Sequence, residues 1–181
     1  MKALIRAIMV LSLASCTSLK DYSEDDRFSD FVGACYQLNE DSYIYSLNHC
    51  LDDSGSCFVI QSFGTSEGDE MLPNSKAEFE VQSDRWLKNI KRLARVGGRE
   101  TIKLGGFAPR GSKFSVQKIL NGEQGTLGKF WFVAIQFEGE SLNGKSVFVP
   151  TPYKYLSPSW VENSRPEQGP VWNRKFVSKC N

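Results

Sequence analysis

One histidine, His49, stands among 181 residues. A nucleophile–imidazole–carboxylate site therefore has a single place to be built. The next residue is Cys50, and in an extended segment adjacent side chains point to opposite faces, so the two do not form a dyad. No run of apolar residues nears the ~20 that a spanning helix needs. Neither sign of charge is in excess: 22 Lys+Arg meet 21 Asp+Glu, for a net charge of +1. That balance excludes a strong global attraction to nucleic acid. Cys-x-x-Cys pairs are absent, and His49, Cys50 and Cys57 lack the spacing of a zinc knuckle. Asn143-Gly144-Lys145-Ser146 lacks the leading glycine of a phosphate loop and reads as a hairpin. Glu138 and Glu140 border a turn rather than a cleft. Asp52-Asp53-Ser54-Gly55 lacks the alternating ligands of a calcium loop. No metal, no cofactor and no enzymatic activity is expected.

What is present is an ordinary globular composition, with 40% hydrophobic and 24% charged residues. The length suits one domain. The chain opens with Lys2 and Arg6, then a short apolar stretch ending in Leu13-Ala14-Ser15-Cys16. Cations, a brief apolar core and a small-residue end make the layout of an export signal. Leu13-Ala14-Ser15-Cys16 resembles the lipobox of bacterial lipoproteins. That resemblance implies cleavage before Cys16 and acylation of its thiol, which anchors the protein to a membrane. Thr17 in place of Asp implies, by similarity to Gram-negative sorting, the outer membrane, with the domain facing the periplasm or the cell surface. Removing residues 1–15 takes two cations and no acid, so acyl chains rather than charge must hold the mature chain to the bilayer. Residues 16–30, rich in Asp, Glu and Ser, are expected as acylated Cys and flexible tether. Residues 31–181 are expected as one β-rich domain.

Four cysteines remain: Cys35, Cys50, Cys57 and Cys180. An even number in an exported chain implies two disulfides, and four cysteines allow three pairings. The favoured pairing is Cys50–Cys57, stapling a short turn, with Cys35–Cys180 tying the start of the domain to its end.

Short apolar or alternating runs recur at Gly33–Leu38, Ser42–Asn48, Cys57–Phe63, Ala77–Val81, Thr101–Leu104, Ser112–Leu120, Lys129–Phe137 and Lys145–Val149. Turn residues, among them Gly105-Gly106, Asn121-Gly122 and Asn143-Gly144, separate them. This pattern predicts a small, mainly antiparallel barrel or sandwich. Lys129–Phe137 is apolar on both faces, with Trp131, Val133, Ile135 and Phe137 on one and Phe130, Phe132 and Ala134 on the other. It should be central and covered on both sides. One segment, Ser83–Gly97, has helical spacing, with Trp86, Leu87, Ile90, Leu93 and Ala94 on one stripe. Ser83 is its expected cap and Gly97 its expected end. Arg85, Lys88, Lys91, Arg92 and Arg95 form a basic face on this helix, either solvated or a contact for lipid headgroups, lipopolysaccharide phosphates or an acidic protein. From Pro150 onward five prolines exclude a central strand. That tail should wrap the body, pinned by Trp160, Trp172 and Cys180.

Gly106–Val116, the aromatic strand, the Asn143-Gly144 turn and Val149-Pro150-Thr151-Pro152-Tyr153 follow one another in an order similar to Src-homology-3-like barrels. The resemblance spans residues 105–156 and implies an SH3-like barrel with a groove near Trp131, Tyr153 and Tyr155. The expected function is a lipid-anchored envelope binding module that contacts a protein or peptidoglycan and not nucleic acid. An inhibitor or immunity-type lipoprotein, blocking a secreted hydrolase or toxin with a loop such as Leu51–Ser56 or Glu138–Gly144, is the alternative.

Overall fold

The computed structural model describes residues 18–48, 56–64, 72–93, 101–124, 128–138, 146–150, 159–162 and 167–180. Among the described residues, eleven strands and two α-helices run in the order β1 (Ser18–Asp21), β2 (Cys35–Leu38), β3 (Ser42–Leu47), β4 (Cys57–Ser62), α1 (Lys76–Val81), α2 (Ser83–Leu93), β5 (Lys103–Ala108), β6 (Lys113–Gln124), β7 (Gly128–Phe137), β8 (Val147–Phe148), β9 (Val161–Glu162), β10 (Val171–Trp172) and β11 (Val177–Lys179). The chain is mainly β, as the alternating runs imply.

Nine strands form one sheet in the order β11-β2-β6-β7-β8-β4-β3-β5, with β1 also on β6. β1 and β2 lie end to end along one edge of β6: Cys35 faces Ser115 and Leu19 faces Gly122. Every described pairing in the sheet is antiparallel except β4 with β8. The sheet is open. Its terminal strands β5 and β11 do not pair with each other among the described residues, so the expected closed barrel is not formed. β9 and β10 make a separate two-stranded sheet.

β7 is central, between β6 and β8. Trp131, Val133 and Ile135 enter one buried cluster, and Phe130, Phe132 and Ala134 enter another on the opposite face. The two-sided apolar pattern of this strand is thus satisfied by covers of different origin. One cover is α1 and α2, which bring Phe79, Trp86 and Ile90 onto Tyr43, Tyr45 and Phe132. The other is built from the two chain ends, with Phe28 from one and Trp160, Val161, Phe176 and Val177 from the other.

Among the described residues two α-helices occur where one was expected. Ala77–Val81 was expected as a strand and is helical within α1. Ser75 caps it by accepting from the Glu78 amide at 3.2 Å, while Glu78 accepts from the Asn74 amide at 2.8 Å. These reciprocal bonds satisfy amides that a helix start leaves open, and they outweigh the β propensity of Phe79 and Val81. Gln82 then leaves helical geometry, at φ −134° and ψ 41°, and the chain re-enters a helix at Ser83. The Trp86 amide bonds the Gln82 carbonyl at 3.1 Å, so Gln82 holds the cap position expected of Ser83.

Two expected turns are strand interior. Asn121-Gly122 lies within β6, opposite Trp131 and Phe130. A Cβ on Gly122 would come within 2.9 Å of Leu19 Cδ2 and of Phe132 Cε2, so glycine there serves packing rather than a turn. Gly105-Gly106 lies within β5, where the β3–β5 register shifts between Ile44 and Tyr45.

Residues 18–30, expected as tether, are folded onto the sheet. β1 pairs with β6, a short 3-10 turn follows at Asp26–Phe28, and Phe28 is buried. Acidic side chains there stay on the surface while Leu19, Tyr22 and Phe28 turn inward.

Candidate functional site

Cys35 and Cys180 form a disulfide across a sequence separation of 145 residues. This is the expected long closure. Among the described residues it is the one disulfide with both halves in view: Cys57, from the second expected pair, is disulfide-bonded and buried at the start of β4, and its expected partner Cys50 lies outside the described residues. The Cys35–Cys180 link ties β11 to β2, reinforced by the Cys180 amide bonding the Cys35 carbonyl at 3.1 Å.

Beside this link the two chain ends meet along a groove of about 560 Å³. Its floor is aromatic. Phe31 stacks on Trp172 with ring centres 5.3 Å apart, and Tyr36 meets the same indole edge-on at 5.4 Å. Burial pushes the Tyr36 phenol above its ordinary pKa, keeping it neutral. The rim carries Arg27, Arg174 and Lys179 against one acid, Asp30.

Local structure holds each wall in place. Asp25 caps the 3-10 turn and grips the Arg27 guanidinium through both carboxylate oxygens, at 2.8 and 2.6 Å. The hydrogen bond from Arg27 holds the Asp25 carboxyl down at about 2. On the opposite wall, Gly169 adopts φ +72°, and a Cβ there would sit 2.5 Å from the Phe28 ring. Only glycine lets this segment lie across Phe28. Asn39 then fixes the next stretch: its amide bonds the Phe176 carbonyl, its Nδ2 donates to the Arg174 carbonyl at 2.9 Å, and its Oδ1 accepts from Ser178 Oγ at 2.8 Å. Beneath the wall Trp160 stacks on Phe176 at 5.9 Å, fully buried, which is the pin expected of that tryptophan.

Such a groove offers ring faces and cations. Aromatic faces take sugar rings or apolar side chains, and the exposed Arg174 and Lys179 take carboxylates.

The residues singled out by sequence fare unevenly. Trp131 is 1% exposed and packs edge-on against Tyr22 and Phe28, so it is core and lines no groove. Tyr153 and Tyr155 lie outside the described residues, as do Cys16, His49 and most of the Leu51–Ser56 and Glu138–Gly144 loops. Arg85, Lys88, Lys91 and Arg92 all fall on α2, away from Trp86 and Ile90, which face the core. Arg85 donates to Gln82 Oε1 at 2.8 Å and lies over the Trp86 ring at 4.9 Å. Lys88 and Arg92 are exposed and Lys91 is half-buried. Sequence reasoning missed Phe31, Tyr36, Trp172, Arg174 and Lys179 as a group. Their only shared signal was that Cys35 and Cys180 bracket the body, which brings residues 31–36 to residues 172–179.

Comparison with family models, with curated proteins and with solved structures finds no match.

Proposed function

We propose that this chain is a lipid-anchored binding module of the bacterial envelope. Acyl chains on Cys16 hold it at the outer membrane, and the groove between the chain ends engages a carboxylate-bearing partner, either cell wall or an envelope protein. The observation that carries the reading is the groove itself: stacked Phe31 and Trp172 on its floor, with Arg174 and Lys179 on its rim. A partly apolar, concave surface with a few convergent polar groups is the usual form of a binding site.

The test uses the full acylated chain. Purified peptidoglycan is sedimented with it, and cross-linked partners are captured from intact cells. Charge reversal at Arg174→Glu with Lys179→Glu should reduce capture of the wild-type partner or wall at least several-fold while leaving the fold unchanged. Equal capture by the reversed variant sinks the assignment of the groove.

A further inference from the structure

β1 begins only two residues after Cys16. Its first residue, Ser18, pairs with Glu123 near the end of β6, and Leu19 pairs with Gly122 and packs into the core. From Ser18 onward the chain is therefore part of the sheet rather than a leash. Two residues of fully extended chain span at most about 7 Å. An acyl group on Cys16 must accordingly sit within about that reach, plus one side chain, of the β1 start. Beside it on the sheet lie Glu123 of β6 and Lys129 of β7.

The groove lies toward the other end of the same strand. Tyr36, on its floor, pairs with Phe114 of β6, and Lys179, on its rim, pairs with Tyr36. Nine positions separate Phe114 from Glu123 along β6, one of them absorbed where the register shifts between Val116 and Lys118. At about 3.3 Å of rise per residue, anchor and groove stand roughly 25 Å apart along the strand.

We propose that the β1 start and the adjoining β6–β7 end form the face that this protein turns to the lipid headgroups, which holds the groove off the bilayer. This rests on the acyl anchor proposed above. Lys20 and Lys129, both exposed, lie at that end of the sheet and suit an anionic headgroup layer. The consequence for function is directional: the partner approaches from the side away from the membrane.

The test places an environment-sensitive fluorophore at Lys129→Cys or, separately, at Lys113→Cys in the full acylated chain. The protein is reconstituted on phosphatidylethanolamine–phosphatidylglycerol vesicles carrying a headgroup nitroxide quencher. Quenching at position 129 should exceed that at position 113 several-fold. A second pair, Lys20→Cys against Lys179→Cys, should give the same ordering and keeps the test valid if one label disturbs folding. Mass spectrometry of the same preparation reports acylation of Cys16. An acylated, vesicle-bound chain quenched equally at both ends, or more at position 113, overturns the orientation alone. A chain recovered unacylated and off the vesicles overturns the anchor and the orientation together.

Discussion

On one side of the sheet the cover is a single stretch of chain, residues 76–93, folded as α1 and α2 over Tyr43, Tyr45 and Phe132. On the other side it is assembled from residues near position 28 and residues near positions 160 and 176, brought together from opposite ends of the sequence. The helical cover carries its own hydrogen bonds, its own cap at Ser75 and a bond from Trp86 Nε1 to the Glu78 carbonyl at 3.1 Å that locks the second helix to the first. The end-built cover has a seam where its two parts meet. The groove is that seam, and the disulfide fastens one end of it. A cover contiguous in sequence can seal a core, whereas one made from two separate strips leaves a line along which a ligand can enter.

The largest test of this contrast is removal of the fastener. Cys35→Ser with Cys180→Ser should cost about 4–5 kcal/mol for so long a closure, read as a fall in the urea midpoint. Amide exchange should then rise first in β11 and residues 167–176, while α2 keeps its protection; uniform loss would show the two covers to be one cooperative unit. Next is Phe79→Ala, which opens a cavity under the helices and should cost about 3–5 kcal/mol by denaturant unfolding. Partner capture by the folded fraction should survive that change, because the seam lies on the other face. Gly122→Ala forces a Cβ between Leu19 and the buried Phe132 ring and should cost about 1–3 kcal/mol, with β1 exchanging faster than β2. Smaller still is Tyr43→Phe. The Tyr43 hydroxyl is buried with no hydrogen-bond partner among the described residues, and burial raises its pKa. Deleting that hydroxyl should change stability by less than about 1 kcal/mol, in either direction. Smallest is the acid response at the seam. Asp25 titrates at about 2 rather than its ordinary 3.8 because Arg27 donates to it. Since the folded value is the lower one, its contribution is present above the ordinary value and is lost as pH falls toward 2. Carboxyl NMR should show Asp25 still ionised at pH 3, and Arg27→Gln should return it toward the ordinary range.

The same contrast explains what the sequence made legible. β7 could be read because both its faces are apolar within nine consecutive residues, and α2 because Trp86 and Ile90 repeat at helical spacing. Counting cysteines left Cys35–Cys180 as part of one of three pairings, favoured but not fixed by the sequence. α1 was misread because Phe79 and Val81 look like a strand, although Ser75 with Glu78 was the capping signal that decides it. Asn121-Gly122 looked like a turn because its role depends on Leu19, a hundred positions away, and no local pattern carries that. The tether was misjudged for a similar reason: Leu19, Tyr22 and Phe28 are sparse among acids, yet each finds a pocket on the sheet. The groove was least legible, since its walls acquire meaning only when the chain ends meet.

The parallel pairing of β4 with β8 has a consequence for assembly. β3, β4 and β5 form one ribbon, and β1, β2, β6, β7 and β11 form another; the described contact that joins them in the sheet is β8, two residues long. Val147 and Phe148 thus act as a keystone that arrives late. A chain emerging amino-terminus first has both ribbons, β11 excepted, in hand before it can knit them, and each must wait with an unsatisfied edge. Unpaired edges are where chains join their neighbours by mistake, so the interval before residue 148 appears is when this protein most needs to be kept apart from copies of itself.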